Sequence, residues 1–247
     1  MERRAKQDLK ISGSASAGGG SYNNVVISGQ GNIDGDFDCA DLRISGASKL
    51  DGNVEALTVK ITGTANITGD FKVNDCKVSG FAQVHGNIKA DEMRIEGAAV
   101  AGSNVSADWL EIKGGLKVKS ECSAENFVSK GAFTVGGLLN SDRITIELYG
   151  PCRAKEIGGE NITVRKGPGF HFARIVKTIL SSFDVDSGLV AESIEGDEIY
   201  LEETKAKVVR GNNVMIGEGC EIGLVEYRSK FEQRGNSTVR ENKKVRR

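Results

Sequence analysis

Residues 25–46 read VVISGQGNIDGDFDCADLRISG, and this stretch decides the fold. It opens on Val25 and Ile27 and closes on Leu42 and Ile44, the same apolar pair seventeen residues later, each followed by Ser-Gly. Working outward in steps of seventeen, the columns fill. Ile27, Ile44, Ile61, Val78, Ile95 and Ile112 form one, interrupted at Ser129 and resumed at Ile146. Val25, Leu42, Val59, Cys76, Met93, Leu110, Phe127 and Ile144 form another, and Gly29, Gly46, Gly63, Gly80, Gly97, Gly114 and Gly131 a third. A fixed period of this kind marks a repeat architecture, in which each unit buries its apolar face only against its neighbours.

Further columns complete one repeat: Ile33, Leu50, Ile67 and Val84; Phe37, Val54, Phe71 and Ile88; and the small set Cys39, Ala56, Val73 and Ala90. Apolar positions alternate with polar ones, the period of a strand with one buried face. No helical segment separates the strands, so coil stacks on coil as parallel strands about 4.8 Å apart. Glycine recurs at the corners, where its access to φ > 0 is expected to matter. The column gaps of 2, 6, 4, 2 and 3 do not follow the strict hexapeptides of left-handed helices, and the crossover preference favours the other hand. The expectation is an all-β fold, a right-handed parallel β-helix of about 17 residues per coil with flexible tails.

The bulk properties agree. The chain has 247 residues, with 32 Gly, 2 Pro and 6% aromatics, the profile of tight turns and small interior side chains. No apolar run is long enough to span a bilayer, and no signal-peptide pattern stands at the start. Five cysteines form no CxxC pair, and Cys39, Cys76, Cys122 and Cys152 fall in apolar columns. They are read as core filler, which points to a reducing cytoplasm. Net charge is −1; with +6 at 228–247 and +2 at 1–10, the body 11–227 carries −9.

The register is regular over 22–148, preceded by a flexible tail at 1–21. Tyr149-Gly150-Pro151 and Gly167-Pro168-Gly169 interrupt it, so 149–171 is read as an irregular coil or loop. Alternation returns at Ile162 and Val164, and Ile199 and Ile216 again stand seventeen apart, so 172–228 is read as a less regular continuation. Residues 229–247 are read as a basic flexible tail.

Catalytic chemistry finds little support. His85 and His171 have no recognisable Ser or Cys partner, and Asp34, Asp36 and Asp38 imitate a calcium loop with Cys39 where the required Gly should be. No GxxxxGK[ST] stretch occurs. Ile216-Gly217 and Ile222-Gly223 echo hexapeptide acyltransferases in two units alone. No cofactor, metal, nucleotide or small-molecule substrate is expected, and no enzyme activity.

The outward columns are ordered instead. Asp41, Thr58, Asp75 and Glu92 run beside Arg43, Lys60, Lys77 and Arg94. The plain reading is mutual neutralisation of a solvated face. The sharper one is a lateral contact through those four cations and Trp109, a large aromatic in a polar column.

The phrases ISG (27–29), IDGDF (33–37), VSGFAQVHGNIKA (78–90) and MRIEGAAVAG (93–102) resemble the bactofilins, bacterial polymer-forming cytoskeletal proteins. The similarity covers roughly 20–140 well. It implies a right-handed β-helical core that assembles end to end into nonpolar filaments without nucleotide, a cytoplasmic scaffold in cell shape, envelope or motility processes. Self-association, and co-assembly with a paralogous bactofilin, follow as expected partnerships. The chain is long for a single bactofilin core, and its start lacks the short apolar membrane-targeting segment of some members.

Both ends of a β-helix expose unpaired strand edges. The first coil (Val25, Ile27, Ile33) and a late coil (Val214, Ile216, Ile222, Val225) are therefore expected to form the polymerisation interface. A rival reading is a binding module whose basic tail docks on an anionic membrane or nucleic acid, with membrane association as its consequence.

Overall fold

The computed structural model describes residues 6–167 and 188–246. Among these residues every regular element is a β-strand. The chain divides into two compact units, Met1–Leu110 with Gly114–Lys119 and Glu111–Lys113 with Ser120–Arg247.

The first unit holds β1 (Gln7–Ile11), β2 (Ser14–Ile27), β3 (Gln30–Ile44), β4 (Ala47–Asp51), β5 (Val54–Ile61) and β6 (Thr64–Ile67). It continues with β7 (Phe71–Val78), β8 (Phe81–Val84), β9 (Ile88–Ile95), β10 (Ala98–Ala101), β11 (Val105–Ile112) and β12 (Gly115–Val118). Long strands stack on long ones, β3 on β5 on β7 on β9, and short on short, β4 on β6 on β8 on β10 on β12, all parallel. The sequence columns are these ladders: Val25 lies opposite Leu42, then Val59, Cys76 and Met93, one rung per coil. Each member is buried, between 0% and 1% exposed. A buried Val, Leu or Ile stabilises by roughly 1.5–3 kcal/mol, so the columns are the core.

The glycine column has a cause other than the expected φ > 0. In this unit positive φ occurs at Gly20, Gly35 and Gly52. At Gly46, Gly63, Gly80 and Gly97 a Cβ would instead lie 1.9–2.1 Å from the carbonyl oxygen of the glycine one coil below. That oxygen is held close because it accepts the next residue's N–H, as Gly46 does from Thr64 at 2.9 Å. Close approach of coil on coil excludes any side chain there.

The second unit holds β13 (Cys122–Ser129), β14 (Ala132–Leu148), β15 (Cys152–Lys166), β16 (Leu189–Leu201), β17 (Thr204–Ile216), β18 (Glu221–Gln233) and β19 (Thr238–Lys244), again in parallel succession. Phe127 and Phe133 meet edge to face at 5.2 Å in its core. Its coils vary in length. Ile199 does not share a column with Ile216, as the seventeen-residue spacing suggested; it lies opposite Val214, and Leu201 lies opposite Ile216.

The expected tails also differ. Residues 7–21 form β1 and the first part of β2, and 229–244 contain the end of β18 and all of β19. Serine, glycine and lysine read as tail composition, yet an outermost rung needs only backbone hydrogen bonds to its neighbour. Of the expected irregular stretch 149–171, Cys152–Lys166 is a paired strand, and 168–187, His171 included, lies outside the described residues.

Candidate functional site

The structure places the expected end coils one rung inside. Val25 and Ile27 are covered by Leu9 and Ile11 of β1, and Ile33 by Ala17. At the other end Val214, Ile216, Ile222 and Val225 are covered by Phe231, Gln233, Val239 and Asn242. All seven are at most 2% exposed. Among the described residues the open edges are therefore Gln7–Ile11 with the Ser14–Tyr22 part of β2, and β19 with the end of β18. Sequence columns missed them because the outermost rungs keep only part of each apolar column, Leu9, Ile11, Phe231 and Val239, and set Ala17, Gln233 and Asn242 in the rest.

The proposed lateral residues come together on the first unit. Arg43, Lys60, Lys77 and Arg94 stack on successive rungs, beside Asp41, Thr58, Asp75 and Glu92. Neutralisation covers half of the basic ladder: Lys77 pairs with Glu96 at 2.8 Å, and Arg94 with Asp75 at 3.8 Å and with Glu92. Arg43 and Lys60 make no ion pair among the described residues. Trp109, on β11, is 40% exposed in the acidic column.

A ladder not anticipated from the sequence runs along one corner of this unit, through Asp36, Asn53, Asp70, Asn87 and Asn104. The Asn53 N–H donates to Asp36 Oδ1 at 2.7 Å, Asp70 N–H to Asn53 Oδ1 at 2.8 Å, and Asn87 N–H to Asp70 Oδ1 at 2.7 Å. The Asn104 N–H donates to Asn87 Oδ1 at 3.3 Å. Asp36, Asn53, Asp70 and Asn87 thus each accept a corner amide of the next coil. The Asn53 backbone and side-chain donors hold the Asp36 carboxyl below its usual 3.8. The apparent calcium loop is spoken for in the same way, since Asp38 accepts from Lys6 and Ser21. The alternation Asp, Asn, Asp, Asn, Asn at a spacing of seventeen was the available signal.

Residues 2–89 match the model of the Bactofilin family, described as polymer-forming cytoskeletal. Over that stretch the chain is similar to the bactofilins. Two curated relatives, both from Bacillus subtilis (strain 168), are similar over part of their length. The uncharacterized protein YhbF is 41% identical over 110 residues, 44% of this chain and 42% of that protein. The uncharacterized protein YhbE is 45% identical over 96 residues, 38% of this chain and 37% of that protein. The chain thus spans about two fifths of the relatives it matches. No solved structure matches.

The bactofilin match takes in the N-terminal edge, the corner ladder as far as Asn87, and the basic ladder as far as Lys77. Within it His85 Nε2 lies 3.1 Å from Asn66 Oδ1 on an exposed surface. All five cysteines are free and buried. Burial pushes the Cys39 and Cys220 thiols up to about 11, and those of Cys76, Cys122 and Cys152 to about 12, which suits core packing and not nucleophilic work. Among the described residues no group of three His, Cys, Asp or Glu is placed to hold a metal, and no helix is long and apolar enough to cross a membrane.

Beyond the bactofilin match, the second unit carries an open groove of about 840 Å³ lined by Arg153, Lys155, Lys205, Lys207 and Arg240. Lys205 pairs with Glu221 at 3.4 Å and Lys207 with Glu192 at 3.2 Å. Arg153, Lys155 and Arg240 form no ion pair among the described residues.

Proposed function

We propose that the chain is a structural scaffold that self-assembles end to end through its terminal coils, in the cytoplasm and without nucleotide. The carrying observation is that, among the described residues, the first and last strands each leave an edge unpaired in a chain whose residues 2–89 match a family described as polymer-forming cytoskeletal. Unpaired N–H and C=O groups along such edges recruit further strands. Val25, Ile27, Ile33, Val214, Ile216, Ile222 and Val225 serve as the apolar layer directly behind each contact. The scaffold supports cell shape, envelope or motility processes, alone or with a paralogous bactofilin. Negative-stain electron microscopy of the purified protein without nucleotide tests this: filaments support the reading, and particles of single-chain size at every concentration reject it.

The basic groove favours a second role, docking of the scaffold on an anionic membrane. Each Lys or Arg near such a surface contributes about 1 kcal/mol, screened by salt. Salt-sensitive co-sedimentation with anionic vesicles should weaken about 30-fold in Arg153→Gln/Lys155→Gln, on that same figure; unchanged binding removes the groove from the account.

A further inference from the structure

The groove of the second unit is built from three rows of residues that run from coil to coil. In one wall Arg153 lies opposite Val190, which is followed by Lys205, Glu221 and Thr238. The floor is the next row along each strand, in which Ala191 lies opposite Ala206 and Ala206 opposite Ile222. Its side chains turn inward: Ala154, Ala191, Ala206 and Ile222 are at most 8% exposed. The second wall follows the floor in sequence, as Lys155, Glu192, Lys207, Gly223 and Arg240. Two residues of extended strand separate the walls, about 7 Å, and the four steps from β15 to β19 span about 19 Å.

The cations fall on alternate coils. Arg153 and Lys155 stand on β15, Lys205 and Lys207 on β17 and Arg240 on β19, whereas β16 and β18 contribute Glu192 and Glu221. Those two carboxylates are taken by Lys207 and Lys205. Arg153 and Lys155 at one end of the trough and Arg240 at the other make no ion pair among the described residues. Two coils are about 10 Å, the rise of three residues in an extended peptide. Side chains of such a peptide point alternately to either side, so residues three apart face opposite walls, and β15 and β17 carry a cation in both.

The width selects among polyanions. A trough of about 7 Å admits one extended chain and not a nucleic-acid duplex, whose major groove alone is about 12 Å wide. Single-stranded nucleic acid is held by stacking on aromatic side chains, and none lines this groove. A bilayer reaches the cations on the walls and leaves the apolar floor uncovered. We propose that the groove takes a single extended, acidic peptide segment of a partner protein, with carboxylates three residues apart, as clusters of cations do for acidic motifs elsewhere. This shares with the membrane reading the premise that the groove is a docking surface, and adds a soluble occupant that competes for it.

The test is fluorescence anisotropy of the full chain with a labelled peptide of about twelve residues, long enough to cross the trough, with glutamate at every third position and serine elsewhere. Wild type should bind at about 0.05 M salt and release the peptide at about 1 M, where the Debye length is about 3 Å. Arg153→Gln/Lys155→Gln should bind about tenfold more weakly, the size of two partly exposed ion pairs, with an unchanged circular dichroism melt. Arg43→Gln/Lys60→Gln removes the same charge from the first unit and should bind as wild type does. A peptide with the same glutamates in one block should bind at least about threefold more weakly. Equal weakening in both double variants, or a block peptide that binds as well, shows attraction to net charge alone and overturns the proposal. Absence of peptide binding overturns it too, and leaves the membrane reading standing if anionic vesicles still sediment wild type and not Arg153→Gln/Lys155→Gln. Vesicles that sediment both equally, while peptide binding falls tenfold, remove the membrane reading and support the proposal.

Discussion

From β3 to β10 the first unit holds to seventeen residues per coil, whereas one column of the second, Ile144, Ile162, Ile199, Val214 and Phe231, advances by 18, 37, 15 and 17. The inward side chains are of the same kind in both, so the core does not set the period. The corners do. In the first unit each rung must present an amide to the Asp or Asn below and a glycine to the carbonyl below. An inserted or deleted residue would break both ladders at once. In the second unit the column corresponding to Asp36 reads Leu138, Glu156, Ser193, Val208 and Leu224, which makes no such chain of bonds. Its coils are free to lengthen while the interior stays filled.

If the second unit depends on bulk packing, its core aromatics should be its weakest point. Phe133→Ala removes a buried ring in edge-to-face contact with Phe127 and should cost about 3–5 kcal/mol, read as a lowered urea midpoint for the second unit. A cost under about 1 kcal/mol, the size of a lost cap or a single hydrogen bond, would mean that something other than the core holds these coils. The glycine column gives the next largest effect. At Gly63 a methyl group would lie 2.0 Å from the Gly46 carbonyl oxygen, while at Gly158 the nearest atom is the side-chain oxygen Oδ1 of Asn140 at 3.0 Å. Gly63→Ala should cost about 3 kcal/mol, near the upper end of overpacking, and Gly158→Ala well under half of that. The contrast is between positions, since a Cβ at Gly159 of the second unit would lie 2.3 Å from the Ser141 carbonyl oxygen, and equal costs would dissolve it.

The corner ladder should yield a smaller difference. Asn87→Ala removes the acceptor for Asn104 and a donor to Asp70 at 3.1 Å, for a cost of about 1 kcal/mol. Ser193→Ala, in the matching column of the second unit, should stay within about 0.5 kcal/mol. Thermal melts of the two variants against wild type decide it, and a Ser193 variant that loses as much as Asn87→Ala would mean the second unit has corner bonds of its own.

How much of this was legible follows from the same contrast. Where a column repeats one residue type, as Ile27, Ile44 and Ile61 do, the sequence states the register directly, because every coil solves an identical steric problem. The seventeen-residue spacing of Ile199 and Ile216 misled for the complementary reason: without a corner constraint the coil shortened to fifteen, and a neighbouring isoleucine fell at the familiar distance. The expected φ > 0 occurs at Gly35 and Gly52, but at Gly46, Gly63, Gly80 and Gly97 the cause is a short carbonyl approach between coils, which leaves the same trace in a sequence as a left-handed turn. The edges were placed one rung too far in because apolarity was used to find them. An outermost strand has no coil beyond it to bury against, so Ser, Gly, Asn and Lys serve there and resemble a tail. The basic groove was invisible because it gathers Arg153, Lys155, Lys205, Lys207 and Arg240 across an irregular register, which no fixed step aligns.

Acid gives the finest test of the comparison. Asp36 heads the corner ladder, and the two Asn53 donors favour its ionised form, lowering its pKa from 3.8. Asp8 is lowered as well, by the Asn24 and Asn23 donors. A carboxyl whose folded pKa is depressed adds stability that is fully present above its unfolded value and disappears as pH falls through the folded one. The first unit should therefore loosen slightly as the solution is acidified below about pH 4, the ordinary aspartate range. Asp36→Asn keeps a side-chain oxygen to accept the Asn53 amide, as Asn87 does for Asn104, but removes the titration. The Asn53 amide resonance, followed between about pH 6 and pH 2.5 across that range, should shift in wild type and stay still in the variant. A variant that tracks wild type would show that the proton is taken up elsewhere, and that the corner ladder is held by amide geometry without help from the Asp36 charge.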